Sequence, residues 1–282
     1  MKKSIAVSAG LGIMLSGCAG LAPEIVCVED RGQYKADTAS YRSVGQNERI
    51  RYLVLHYTAV DDEESLRLLT AGGASAHYLV TSNPGAHGGK PVALQLVDDD
   101  KRAWHAGVSY WNGRHNLNDT SLGIEIVNLG YTDETSGRRW HPYQPAQLDL
   151  IERLAADLVK RYGISPDNVV GHSDIAPLRK SAPGPLFPWQ ALAQRGIGAW
   201  PDAGTVDKYL AGRTPTEPAS VARIQQALAK YGYRVEQTGT LDEATRQVIR
   251  AFQMHFRPDD IRGEPDAQTE AIALALVDKY RS

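Results

Sequence analysis

The chain has 282 residues, 42% of them apolar and 23% charged, which is long enough for a substantial core and for more than one domain. Its 31 Lys and Arg stand against 33 Asp and Glu, for a formal net charge of −2. That balance gives no basic field for nucleic acid and excludes such a partner.

In chain order, the first element is "MKKSIAVSAGLGIMLSGC": two lysines, an apolar run from Ile5 to Leu15, and small residues leading to Cys18. The pattern predicts a signal peptide over 1–17, too short for a comfortable membrane span. "LSGC" resembles a bacterial lipobox, which implies cleavage before Cys18 and lipid on its sulfur. Ala19, where an Asp would signal retention, implies sorting to the outer membrane, so the expected location is lipid-anchored there and facing the periplasm. Residues 18–35 then read as a tether. Apart from Cys18 only Cys27 remains, a lone thiol, so no intramolecular disulfide framework is available.

The runs 49–59, 76–81, 91–97 and 121–128 are short, β-rich and bounded by Gly, Asp and Pro, and they read as strands, several buried on both faces. "PAQLDLIERLAADLVKRYG" spaces Leu148, Ile151, Leu154, Ala155, Leu158 and Tyr162 on one helical face, between Pro145 and Gly163. Together they predict an α/β domain over 36–200, a mixed central sheet flanked by helices. Residues 201–219, with "WPDAG" and "RTPTEP", break the periodicity and read as a linker or an irregular closing segment. Three helical patterns follow and predict a small three-helix domain over 220–282, with Thr240 and Glu243 at capping-box spacing.

Two histidines stand where strands run out, His56 after "YLVL" and His172 after "NVVG". Strand ends are where α/β domains gather functional side chains. Alone, either reads as a structural histidine. Glu125 changes that reading, because a carboxylate inside the apolar strand "LGIEIVN" is costly unless paired, metal-bound or functional. Zinc hydrolases need three protein ligands, an open position and a nearby base. His56 and His172 supply two imidazoles, Glu125 can serve as the base, and Lys180 lies on the following loop, where an ammonium can stabilise an oxyanion.

The set "LHYTA", "SAHYL", "AWHAG", "SLGIEIVN", "GHSDIAPLRK" and "PGPLFPW" resembles the zinc N-acetylmuramoyl-L-alanine amidases, the group that includes phage lysozyme-type amidases and peptidoglycan recognition proteins. The resemblance holds over roughly residues 30 to 210. It implies cleavage of the amide between the lactyl group of N-acetylmuramic acid and L-alanine of the stem peptide. By position it makes His56 and His172 ligands of one Zn2+, Glu125 the general base and Lys180 the oxyanion partner. The family's third ligand, an Asp or a Cys, falls at residue 182, which here is Ala182. A methyl group cannot coordinate zinc, so weak or absent zinc binding is expected. Asp174 reads as an organiser of its loop, and Ser181 is a poor ligand. His77, His105, Trp104 and Arg114 are expected as substrate contacts or pocket wall, and the three C-terminal helices resemble a peptidoglycan-binding module.

Because Glu125 and Lys180 persist, the loss at Ala182 reads as a single replacement in the frame of an active amidase. The expected function is peptidoglycan hydrolysis in wall turnover or recycling, impaired in this chain, on muropeptides with or without a 1,6-anhydro sugar. The alternative is a non-catalytic muropeptide-binding lipoprotein, as in recognition proteins that lack the same ligand. A weaker third reading, a tether between membrane and wall, leaves the groove residues unexplained. No protein partner is inferable.

Overall fold

Two compact units divide the chain after Asn47, and the computed structural model describes residues 28–281. The expected signal peptide, the lipidation point Cys18 and the thiol of Cys27 lie outside the described residues. Within the first unit, Val28–Asp30 and Lys35–Asp37 pair as an antiparallel hairpin.

The second unit begins with β1 (Tyr52–Tyr57), α1 (Asp62–Thr70), β2 (Tyr78–Val80), β3 (Leu94–Gln95) and β4 (Ser121–Ile126). A hairpin of β5 (Tyr131–Glu134) and β6 (Gly137–Trp140) follows, then α2 (Pro145–Tyr162), β7 (Val169–Gly171), α3 (His172–Ile175) and α4 (Trp189–Gln194). The last four helices are α5 (Ala203–Leu210), α6 (Val221–Tyr231), α7 (Glu243–Phe256) and α8 (Ala267–Tyr280). Five strands form the central sheet in the order β7-β1-β4-β2-β3, all parallel except β3.

Side chains alternate between the two faces of a strand, and this divides the core. Leu53 and Leu55 of β1 join Leu122, Ile124 and Ile126 of β4 against Leu150, Ile151, Ala155 and Leu158 of α2. The spacing of those four residues is what makes α2 amphipathic. Its start is fixed by Pro145 and by the Gln147 side chain, which accepts from the Gln144 N–H; its end is Gly163 at φ 60°, a left-handed turn that glycine adopts without a Cβ clash. The opposite face of the sheet carries Tyr52, Val54 and His56 alongside Ser121, Gly123 and Glu125.

Tyr52, Val54, Trp111, Val170 and Ile175 share one apolar core with Ile224, Leu228, Tyr231, Phe252 and Leu276 of the C-terminal helices. The helices expected as a self-contained domain are thus packed into the α/β portion, and residues 48–282 are one compact unit. Trp111 is 1% exposed and meets the rings of Tyr231 and Tyr233 edge-on, at 5.7 and 5.0 Å between centroids. Burying an indole this fully contributes on the order of 2–3 kcal/mol.

Three local expectations are corrected. The segment 201–219 holds α5, tied to α8 by Tyr209 to Asp278 and Lys279 to Asp202; eight residues between prolines are too few to show a helical period. α7 starts two residues later than the Thr240–Glu243 spacing implies, because the Asp242 carboxylate accepts from the Thr245 N–H at 2.7 Å and is the N-cap. Of the run 91–97 only Leu94–Gln95 joins the main sheet. Lys90–Pro91 pairs with Ala86–His87 in a separate hairpin, a site that tolerates a residue with no N–H to donate.

Candidate active site

Because β1, β4 and β7 are parallel, their C-terminal ends meet at one edge of the sheet. His56 and Glu125 are register partners on neighbouring strands, so their side chains leave the same face side by side. His172 begins α3 directly after β7. The Nδ1 atoms of His56 and His172 are 2.8 Å apart, and Glu125 Oε1 is 3.8 Å from His56 Nδ1. In front of them a cleft of about 530 Å³ opens over Glu125 and His172, walled by Trp104, Lys180, Ser181 and Ala182. The structure therefore brings together the four residues expected to carry chemistry.

Hydrogen-bond bookkeeping assigns the imidazole tautomers. The Ser121 hydroxyl donates to the Leu117 carbonyl at 2.7 Å, so its oxygen accepts from His105 Nε2 at 3.2 Å. His105 Nδ1 is then an acceptor, and His56 Nε2–H donates to it at 3.0 Å. His172 Nε2–H donates to the Ala106 carbonyl at 3.2 Å. Both Nδ1 atoms thus present lone pairs to each other. Burial, followed by neighbouring positive charge, holds both imidazoles well below the usual histidine range. Two neutral imidazoles converging through lone pairs form a cation-binding donor pair.

The third donor is missing. Ala182 is 4% exposed and offers only a methyl group, and its carbonyl accepts from the Ser173 N–H. Ser181 Oγ is engaged with the Tyr57 hydroxyl at 2.7 Å. Among the described residues, no group of three His, Cys, Asp or Glu side chains is arranged to hold a metal ion. The residues present do not complete a three-ligand zinc site. Glu125 carries a buried Oε2 with no hydrogen-bond partner, and burial pushes its carboxyl up to about 8 against the pull of Lys180.

Asp174 is fully committed as well. Its Oδ2 accepts from the Gly171 N–H and from His255 Nδ1, both at 2.7 Å, and its Oδ1 accepts from the Tyr233 hydroxyl. Tyr233 follows α6 and His255 lies in α7, where its ring stacks between Trp189 and Phe256 at 3.8 and 3.9 Å. The C-terminal helices thereby fasten the turn that carries His172.

One expected pocket residue, His77, lies away from the cleft. His77 is 0% exposed, with Nδ1 accepting from the Gly123 N–H and Nε2 facing the Lys101 carbonyl, so it braces the sheet and no substrate reaches it. His105 is 7% exposed and lines the cleft as a wall residue, and a Cβ at Gly123 would fall 2.5 Å from its imidazole. Its work is to hold His56. Arg114 stands in the short hairpin with Tyr110–Trp111, away from the cleft lining. Trp104 does line the cleft and is 54% exposed. Sequence reasoning missed Arg179, Tyr57 and Tyr131, which also line it. Arg179 was adjacent to Lys180 and could have been taken with it; Tyr233 and His255 give no local signal.

Residues 46–185 match the family model described as N-acetylmuramoyl-L-alanine amidase, and residues 217–272 match that of a peptidoglycan binding domain. The N-acetylmuramoyl-L-alanine amidase AmiD of Escherichia coli K12 is 50% identical over 268 residues, 95% of either chain. The solved complex of E. coli AmiD with anhydro-N-acetylmuramic acid-L-Ala-D-gamma-Glu-L-Lys superposes with a TM-score of 0.86 at 49% identity, over 90% of this chain and 98% of that one. AmpDH3 of Pseudomonas aeruginosa, in complex with anhydromuramic pentapeptide, gives a TM-score of 0.77 at 44% identity, over 87% and 98%.

Proposed function

The chain belongs to the N-acetylmuramoyl-L-alanine amidase family, and from that premise we propose that its cleft takes the muramoyl–L-alanine junction of peptidoglycan fragments, with Ala182 leaving it an impaired hydrolase. The observation that carries this reading is the pair of converging His56 and His172 lone pairs, with Glu125 beside them and a methyl group at the third position. The muropeptides held by the AmiD and AmpDH3 structures support the ligand class.

The chain's own residues have defined tasks in amide hydrolysis. In its ionised form Glu125, which lines the cleft, takes a proton from the attacking water as the new C–O bond forms and gives it to the leaving alanine nitrogen as the C–N bond breaks. Lys180 is exposed on the cleft wall and faces the carbonyl oxygen as it gains charge. Trp104 offers the sugar a flat apolar face. Zinc is the group that, in the family, polarises the carbonyl and activates water. With two imidazoles and no third donor, this chain holds it weakly.

Zinc stoichiometry and muropeptide cleavage, measured together on the unaltered protein and on Ala182→Asp, test the proposal. The expected result is that only the Asp variant holds about one zinc and releases peptide, in keeping with three protein ligands at a catalytic zinc. Equal zinc content and cleavage by the unaltered chain would overturn the impairment. The retained cleft also favours a second reading, muropeptide binding without turnover, which predicts saturable binding by the unaltered chain and no cleavage. We further propose anchoring to the outer membrane through lipid on Cys18, with the cleft working in the periplasm. Its check is membrane release of a Cys18→Ser variant.

A further inference from the structure

Beside the cleft lies a second pocket of about 240 Å³, and of its lining the hydrolysis uses Lys180 alone. It is enclosed by the β5–β6 hairpin, the loop after α3 and the exposed side of α7, and shares Tyr131, Arg179, Lys180 and Ser181 with the cleft, so the two cavities abut. Four of its lining residues are cations, Arg138, Arg179, Lys180 and Arg250, and none is acidic. That concentration is anomalous in a chain of formal net charge −2.

Two of the arginines are held in place without being neutralised. Arg179 donates to the carbonyls of Ala106 and Val108, at 2.6 and 2.7 Å. Arg250 donates to the carbonyls of Ile261 and Arg262. Carbonyl partners orient a guanidinium and leave its charge intact. Arg138 has Asp133 at 3.4 Å, but both side chains are solvent-exposed and such a pair is weak. Like charges gathered around one cavity repel, and the field they focus there favours entry of an anion.

We propose that this pocket is a carboxylate subsite for the peptide arm of the ligand, with Arg250 of α7 as its far wall. The inference rests on the reading of the cleft as a muramoyl-peptide site. A peptide joined to the lactyl group through its amino end has no free α-ammonium and keeps a carboxylate at its other end, so the arm leaving the cleft is anionic. Arginine is suited to that group because its planar fork matches a carboxylate. The C-terminal helices then act on the ligand directly, through a side chain beside the reacting cleft.

The test is calorimetric titration of the full chain, with chelator present to suppress cleavage. The probes are an N-acetylmuramoyl tripeptide with free carboxylates and the same compound with carboxamides in their place. The unaltered protein is expected to bind the carboxylate form roughly tenfold more tightly, the scale of one charge-assisted hydrogen bond. Arg250→Gln is expected to erase most of that preference and leave the amidated compound unaffected. Arg138→Gln, on the opposite wall, gives the same sign and stands in should the first variant fold poorly. Equal binding of the two compounds by the unaltered chain, or a preference that survives both variants, overturns the subsite and leaves the muramoyl-peptide reading standing. Absence of binding by either compound removes both.

Discussion

The buried turn that carries His172 and the lining of the cleft are built on opposite rules. On the α3 side, Asp174, Tyr233, His255 and Gly171 form a buried cluster in which each carboxylate oxygen has its donor, sealed by the stacked rings of Trp189 and Phe256. On the side of Lys180, Arg179 and Trp104, charges stand without neutralising partners, an indole is half exposed, and Glu125 Oε2 is buried with no hydrogen bond. A buried network whose carboxylate is fully satisfied contributes rigidity, even with His255 Nε2 left without a partner; exposed cations and an unpaired carboxylate at a cleft contribute affinity for a ligand. The difference separates residues that hold the site from residues that meet the ligand.

The largest expected effect comes from breaking the sealed turn. Asp174→Ala strands three donors, the Tyr233 hydroxyl, His255 Nδ1–H and the Gly171 N–H, on residues that are all buried. Removing one partner of a buried charged cluster costs about 3–5 kcal/mol, and urea unfolding should register that loss. Asp174→Asn keeps an acceptor oxygen and should fall between the two. A loss below about 1 kcal/mol for the alanine variant, within the range of an ordinary substitution, would show that the C-terminal helices do not secure the His172 turn.

A smaller effect is expected where the sheet meets the histidine relay. At Gly123 a Cβ would sit 2.5 to 2.8 Å from three atoms of the His105 ring. Gly123→Ala must therefore push the ring off the sheet, at about 1–3 kcal/mol for an overpacked site. Thermal unfolding measures that cost. Nitrogen chemical shifts of His56 report a second consequence, loss of the single tautomer that the His105 bond enforces. A variant of unchanged stability whose His56 keeps its tautomer would show that the relay does not depend on this close approach.

The sequence made the ligand-facing side legible and left the holding side hidden, for a physical reason. His56, Glu125 and His172 could be found because polar residues at the ends of apolar strands break a local pattern, and local patterns are what a sequence displays. Ala182 was legible only against the family motif. The strands and α2 followed from period and punctuation. In contrast, His77 and His105 carry the same letter as the ligands and sit in the same kind of motif, yet they are buried braces. Their roles depend on which face of the sheet they meet. Tyr233 and His255 lie 59 and 81 residues beyond Asp174, and nothing in their own surroundings announces the contact. The same holds for the shared core that joins the C-terminal helices to the sheet, since an amphipathic helix does not reveal which layer its apolar stripe will cover.

The smallest stability effect is expected at Trp104, and it is the sharpest check on the contrast between the turn and the cleft lining. Its side chain is 54% exposed, and the two bonds that fix its backbone, from its N–H to Ser75 Oγ at 2.9 Å and from the Ser75 N–H to its carbonyl at 3.2 Å, do not involve the indole. Trp104→Ala should leave unfolding within about 0.5 kcal/mol of the unaltered chain, as for other surface positions. The same protein should bind an N-acetylmuramoyl tripeptide more weakly by over about 1 kcal/mol, since an exposed Trp at a cleft mouth has the character of a binding hot spot. Scanning calorimetry and ligand titration on one preparation separate the two quantities. A matching loss in both would move Trp104 to the holding residues. No loss in either would mean that an indole half in water beside the cleft has no ligand to cover it, and the division between holding and meeting residues would fail at the position where it is most exposed.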